Sequence, residues 1–176
     1  RTVKLHQREF EVLPEAWAKL IDAHGNVLSF VSPLQRYPDL DRMSHGELED
    51  FLKECPLTDF EKKELKANNQ KTKHFADKVF WYQLIDIRKS QRDYMFFLRR
   101  NGIFIETSMK DQFKELDDII WNALAEHQYN HEQKLHPRLN ESTNRLLNDS
   151  QPLIEKLELQ VQQRLWNTSL KSGKTK

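Results

Sequence analysis

The sequence predicts an all-α protein, an antiparallel helical bundle of about six to seven helices with one long central helix. Three observations predict it. Only four Gly and six Pro occur in 176 residues, too few turn formers for an all-β sandwich or a Gly-rich α/β fold. Lys, Glu, Leu and Gln are abundant, and all four are good helix formers. Apolar residues recur at helical spacing along most of the chain, and legible stops separate the runs.

The first run covers residues 3–32, with Trp17, Ile21, His24, Leu28 and Val31 as its stripe and Pro14 as a point of breakage or a first-turn residue. Pro33 and Pro38 then enforce a loop, in which Leu34, Tyr37 and Leu40 are expected to pack. Ser44 with Glu47 and Thr58 with Glu61 are capping boxes that open two short helices separated by Pro56. After a break at Asn68-Asn69 comes the long helix, residues 71–100. Its stripe is Phe80, Leu84, Ile87, Tyr94 and Leu98, with Gln91 as a polar gap, and Trp81, Ile85, Met95 and Phe96 widen it as if the helix were touched on two sides.

Asn101-Gly102 ends that helix, with Gly102 expected in the left-handed conformation and Arg99 and Arg100 favoured by the helix dipole. Ile103, Phe104 and Ile105 are expected to fold back under the turn. Ser108 with Asp111 should open the next helix, faced by Phe113, Leu116, Ile120, Ala123, Leu124 and His127. So short a link forces an antiparallel pair. His136-Pro137 breaks the chain again. A short helix is expected at 141–147, then a last one capped by Asp149 or Ser150, with Pro152 in its first turn, Leu153, Leu157, Val161 and Leu165 as its stripe and Trp166 at its end.

Composition suits one helical domain over residues 1–170, with 1–12 able to serve as a juxtamembrane helical extension and 171–176 as a disordered basic tail. Net charge is +1, and the Lys-rich stretch 53–78 is interleaved with Glu54, Asp59, Glu61, Glu64 and Asp77. That pattern is a solvated face, and it gives no reason to expect nucleic acid. No apolar run is long enough to span a bilayer. Cys55 is the single cysteine, so no internal disulfide forms. Asn140, Asn148 and Asn167 stand in N-x-S/T sequences, a pattern that chance also supplies. The chain starts at Arg1 without Met, which reads as a fragment whose missing N-terminus can carry an anchor or signal; a trimmed tag gives the same start.

Few constellations carry chemistry. His127 and His131, four apart on one helix, can share a metal ion, with Glu126, Glu132 and His136 near in sequence. Neither H-E-x-x-H nor E-x-x-H occurs, and such a pair is more often structural in a chain with seven His. Asp117, Asp118 and Glu115 share that helix but lack the di-metal spacing. Arg88, Arg92 and Asp93 cluster on the long helix, as a ligand site or as a structural network. His127 is the next histidine after Arg100, too distant for an Arg-His nuclease pair. Cys55 has no neighbouring base. No nucleophile elbow, phosphate loop or dinucleotide fingerprint is present. No catalytic residue and no cofactor are therefore assigned.

Four stretches, residues 13–17, residues 32–35 with 37–40, the Phe80-Trp81 region and residues 101–105, resemble a bacterial family with one N-terminal membrane anchor and a helical soluble domain. No activity is established for that family. The resemblance implies a bacterial source and an anchor before Arg1, and the corresponding expectation is a membrane-tethered protein with this domain in the cytoplasm. The functional expectation is a non-enzymatic protein-interaction domain that contacts another protein or itself, with residues 17–31 and 153–166 as candidate surfaces. The alternative is a metal- or small-ligand-binding bundle, or an enzyme, centred on His127 and His131.

Overall fold

The computed structural model describes residues 2–34 and 36–172. Six α-helices make up the described chain: α1 (Thr2–Val31), α2 (His45–Glu54), α3 (Asp59–Ala67), α4 (Lys71–Asn101), α5 (Thr107–Gln133) and α6 (Glu141–Ser172). Two single 3-10 turns, Leu40–Arg42 and Gly102–Phe104, complete the order, and no strand occurs among the described residues. The all-α expectation holds. Of the expected tail, Lys171 and Ser172 close α6 and the last four residues lie outside the described ones.

Contacts gather the chain into two compact units, Ser32–Asp86 and the combination of Arg1–Val31 with Ile87–Lys176. The smaller unit is built on two local motifs. Both capping boxes form as read: Ser44 and Thr58 accept from the backbone N–H of Glu47 and Glu61, whose carboxylates return to the cap N–H. Each box satisfies two donors that a helix start otherwise leaves unpaired. Leu40, Leu48, Leu52, Leu57, Leu65, Phe75 and Val79 form this unit's core. Asp41 caps α4 from outside it, accepting the N–H of Lys71 at 2.7 Å and of Thr72 at 3.2 Å. Of the loop residues expected to pack, Leu40 is buried and Tyr37 half-buried, but Leu34 is 77% exposed.

In the larger unit α5 is the close neighbour of both α6 and α1. Its buried face, Met109, Phe113, Leu116, Ile119, Ile120, Ala123 and Leu124, contains the face expected. On α1 the expected stripe is met in part. Leu13, Ala16, Leu20, Ala23, Val27 and Phe30 are buried, whereas Trp17 and Leu28 are half-buried and Ile21 is exposed. His24 and Val31 of the expected stripe are buried, and Ala16 and Ala23 join the larger residues on the contact face, where small side chains let helix axes approach. Pro14 lies inside an unbroken helix, on its exposed side.

Residues 87–101 of α4 reach α5 through longer groups. Tyr94, fully buried, donates its hydroxyl to the Phe113 carbonyl, and Gln91 Nε2 donates to Asp117 Oδ1 at 3.0 Å. The α4–α5 turn differs from expectation in chemistry. No glycine in the described chain has positive φ. The helix instead tightens into the 3-10 turn, where Gly102 packs closely: a Cβ there would lie 3.2 Å from Lys110 Cδ, so that side chain would have to shift slightly. Glu106 rather than Ser108 caps α5, accepting the N–H groups of Ser108 and Met109. Ile105 is buried as expected, while Ile103 is 78% exposed.

The expected break at Asp149-Ser150 is absent, and α6 runs through Pro152. Ser150 does not cap; its hydroxyl donates back to the Leu146 carbonyl within the helix. Pro152 and Asn148, whose carbonyl loses its helical donor to the proline, are both exposed, so water can serve that carbonyl.

Candidate functional site

The sequence nominates His127 and His131 as a metal-ligating pair on α5. His127 sits edge-on against Phe30 of α1, ring centroids 4.8 Å apart. Burial lowers its pKa to about 4, aided by the positive charge of Arg138 and by His131 and opposed by Glu126. His131 is half-buried on the next turn, and His136 is exposed. The neighbouring carboxylates are engaged elsewhere. Glu126 accepts the backbone N–H groups of Ser142 and Thr143, each at 2.9 Å, and the Thr143 hydroxyl at 2.7 Å. Burial pushes this carboxyl upward, but those donors outweigh it and hold it below the usual carboxylate range. Glu132 accepts from Gln128 Nε2. Among the described residues no group of three or more His, Cys, Asp or Glu is placed to hold a metal ion.

A second histidine lies deeper. His24 Nε2 is 2.8 Å from Ser150 Oγ, and both residues are buried. Because the Ser150 proton is committed to the Leu146 carbonyl, Ser150 accepts from His24, which fixes the Nε2–H tautomer. A serine held this way cannot act as a nucleophile towards a bound substrate, and the pair serves packing.

Among the grooves that open on the larger unit, three are lined by both charged and apolar side chains. One of about 440 Å³ lies between α1 and α4, with Val12, Phe96 and Phe97 among its lining. Among its charges Arg8 pairs with Glu11 at 2.7 Å, and Lys19 lies over the Phe97 ring. Another, about 400 Å³, has Glu106 and Arg164 on its wall. Glu106 caps α5, and Arg164 grips the buried Glu9 through two bonds of 3.0 and 2.9 Å.

The third groove, about 500 Å³, lies between residues 87–101 of α4 and α5, within the range of binding clefts. Met95, Leu98 and Trp121 supply its apolar lining, and Arg92, Arg99 and Lys114 its cations. None of these three cations has a carboxylate within 4 Å among the described residues, and all three side chains belong to exposed residues. Gln91 and Asp117 form the polar wall. Gln91 is only 1% exposed, and its Oε1 has no donor. Turning the amide over would set Oε1 against Asp117 Oδ1, acceptor against acceptor, so the orientation in which Nε2 donates is the one that pairs. Asp117 is pushed up by burial, against the Gln91 hydrogen bond, with Asp118 adding to the rise and Arg99 opposing it. Trp121 is 43% exposed, and the Arg88 guanidinium lies 5.8 Å from its ring centroid. Arg88 Nη2 also donates to Gln128 Oε1.

The nominated cluster of Arg88, Arg92 and Asp93 is therefore divided. Arg88 orders Trp121, Arg92 lines the α4–α5 groove, and Asp93 lines the α1–α4 groove. Sequence reasoning passed over Trp121 and Lys114. Their signal was an aromatic residue in helical register with charges, Lys114, Asp117, Asp118 and Trp121 on one face of α5. Gln91 was visible as a polar residue in a core register, which demands a partner. Of the nominated contact surfaces, α1 exposes Ile21 and α6 exposes Leu159 and Trp166. Comparison of the chain with known protein families, with characterised proteins and with solved structures found no match.

Proposed function

We propose that this chain is a non-enzymatic helical interaction domain that binds another protein through the α4–α5 groove. One observation carries it: the groove combines an exposed Trp121, flanked by an ordered Arg88, with three cations that no carboxylate neutralises at contact distance. Tryptophan and arginine are the side chains that dominate protein interfaces. Elsewhere in the larger unit the buried His24 and Glu9 and the half-buried Glu126 are occupied by structure. The wording shared with the membrane-anchored bacterial family supports placing the domain beside a membrane; among the described residues no helix is itself long and apolar enough to cross one.

The test is paired affinity capture with the intact chain and its Trp121→Ala variant, followed by titration of the captured protein in purified form. Saturable binding that Trp121→Ala weakens by roughly tenfold or more, the loss of one hot-spot side chain, supports the proposal. No saturable partner, or equal affinity for both chains, overturns it.

A further inference from the structure

We infer that the partner segment seated in the α4–α5 groove is an acidic polypeptide stretch with an apolar anchor, its carboxylates meeting Arg92, Arg99 and Lys114 and its anchor resting on Met95, Leu98 and Trp121. The inference rests on the groove being a protein-binding site and names what that site selects. Charge comes first. The lining holds three cations, Arg92, Arg99 and Lys114, against two carboxylates, Asp117 and Asp118, so it is positive by one even with both acids ionised. Asp117 accepts from the neutral Gln91 Nε2 and Asp118 is exposed, so both acids count against an incoming anion when ionised. What distinguishes the cleft is the gathering of three exposed cations at one place, and local potential rather than total charge steers a ligand.

Side-chain chemistry narrows the class further. A polypeptide carries carboxylates and apolar side chains on one backbone, the two groups that the cations Arg92, Arg99 and Lys114 and the apolar Met95, Leu98 and Trp121 of the lining can meet. A nucleic acid brings phosphates but no aliphatic anchor for Met95 and Leu98, and binding it calls for a continuous basic face, which Asp117 and Asp118 interrupt. Two acids beside three cations also set a register, because a segment with its carboxylates misplaced meets like charge.

Selection of a displayed random-peptide library on the intact chain tests this, followed by fluorescence anisotropy with the enriched peptides. The comparison chains are Trp121→Ala, the triple variant Arg92→Gln, Arg99→Gln and Lys114→Gln, and the corresponding triple Glu variant, with far-UV circular dichroism as the check on folding. The altered side chains are exposed, and the Gln set removes charge without reversing it, so binding remains interpretable if the Glu set misfolds. Supporting results are enriched peptides with Asp or Glu around a large apolar residue, an affinity that falls with rising salt, and a loss of about tenfold or more in the triple Gln variant, the sum expected of three modest charge contacts. Peptides that need Trp121 but lack acidic residues and ignore the triple variants overturn the acidic assignment while leaving the groove as a binding site. If no peptide is enriched, or binding is indifferent to Trp121→Ala and to both triple variants, the inference and the proposed function fail together.

Discussion

Glu126 Oε1, on α5, accepts both the backbone N–H and the hydroxyl of Thr143, at 2.9 and 2.7 Å, while Oε2 takes the N–H of Ser142. The start of α6 is thus capped by a residue of the preceding helix rather than by its own N-cap side chain. Replacing Glu126 with Ala should cost about 1–2 kcal/mol, the worth of a helix cap. Urea unfolding measures the loss, and amide exchange should quicken at Ser142 and Thr143 before it does at Leu157. Unchanged protection at those two amides would show that the cap is dispensable.

The pH response of stability should carry the mark of His127. Its folded-state pKa of about 4 lies below the ordinary 6.5. Between those values the unfolded chain takes up a proton that the folded chain refuses, so this contribution is fully present above the ordinary value and is lost as pH falls towards the folded one. Its full extent is on the order of 3 kcal/mol. His24, whose pKa burial also lowers, acts with the same sign. Unfolding free energies across this range should flatten in His127→Gln relative to the parent chain. Parallel curves for the two would refute the role given to His127.

Asp117 acts with the opposite sign. Burial raises its carboxyl, so the folded chain holds a proton after the unfolded chain has released it, and stability falls as pH rises through that interval. Asp117→Asn, which can still accept from Gln91 Nε2, should be the more stable protein at neutral pH, with the gain vanishing in acid. Thermal melts at neutral and acidic pH decide it; a neutral-pH loss would mean that the ionised carboxylate is a net stabiliser.

Pro152 is a further test, because α6 runs through it. A proline in a helix interior costs up to about 3 kcal/mol relative to Ala, so Pro152→Ala should stabilise the chain by some part of that amount. A neutral or destabilising outcome would favour two separate helices meeting at Asp149-Ser150.

What the sequence revealed divides by the range of the interaction. The boxes at Ser44 and Thr58 close within three residues and were legible as strings. So was the α4–α5 hairpin, since the period of Tyr94 and Leu98 ends where that of Phe113 begins. The contact face of α1 was half legible: His24 and Val31 are buried as expected, but Ile21 is exposed while Ala16 and Ala23, which hydrophobicity ranks below it, are buried beside Leu13 and Leu20. The caps at Glu106 and Glu126 escaped notice for related reasons. Glutamate is an unusual cap, and Glu126 reaches its donors across a helix–helix connection, where no local spacing records it. Half of the candidate site was visible, as the polar Gln91 within an apolar stripe. Its partner Asp117 and the exposed Trp121 became meaningful only when α5 was laid beside α4.

The larger unit is assembled from both ends of the chain, with Ser32–Asp86 inserted between its parts. On the ribosome α1 emerges well before the helices it packs closest against, α5 and α6. At a synthesis rate of roughly 5–20 residues per second, α1 waits on the order of ten seconds with Leu13, Leu20 and Val27 uncovered. The inserted unit, whose core draws only on nearby residues, can fold during that wait. An escort that shields the first helix during translation should therefore raise the yield of folded chain, and moving α1 behind α6 by circular permutation should remove the need for one.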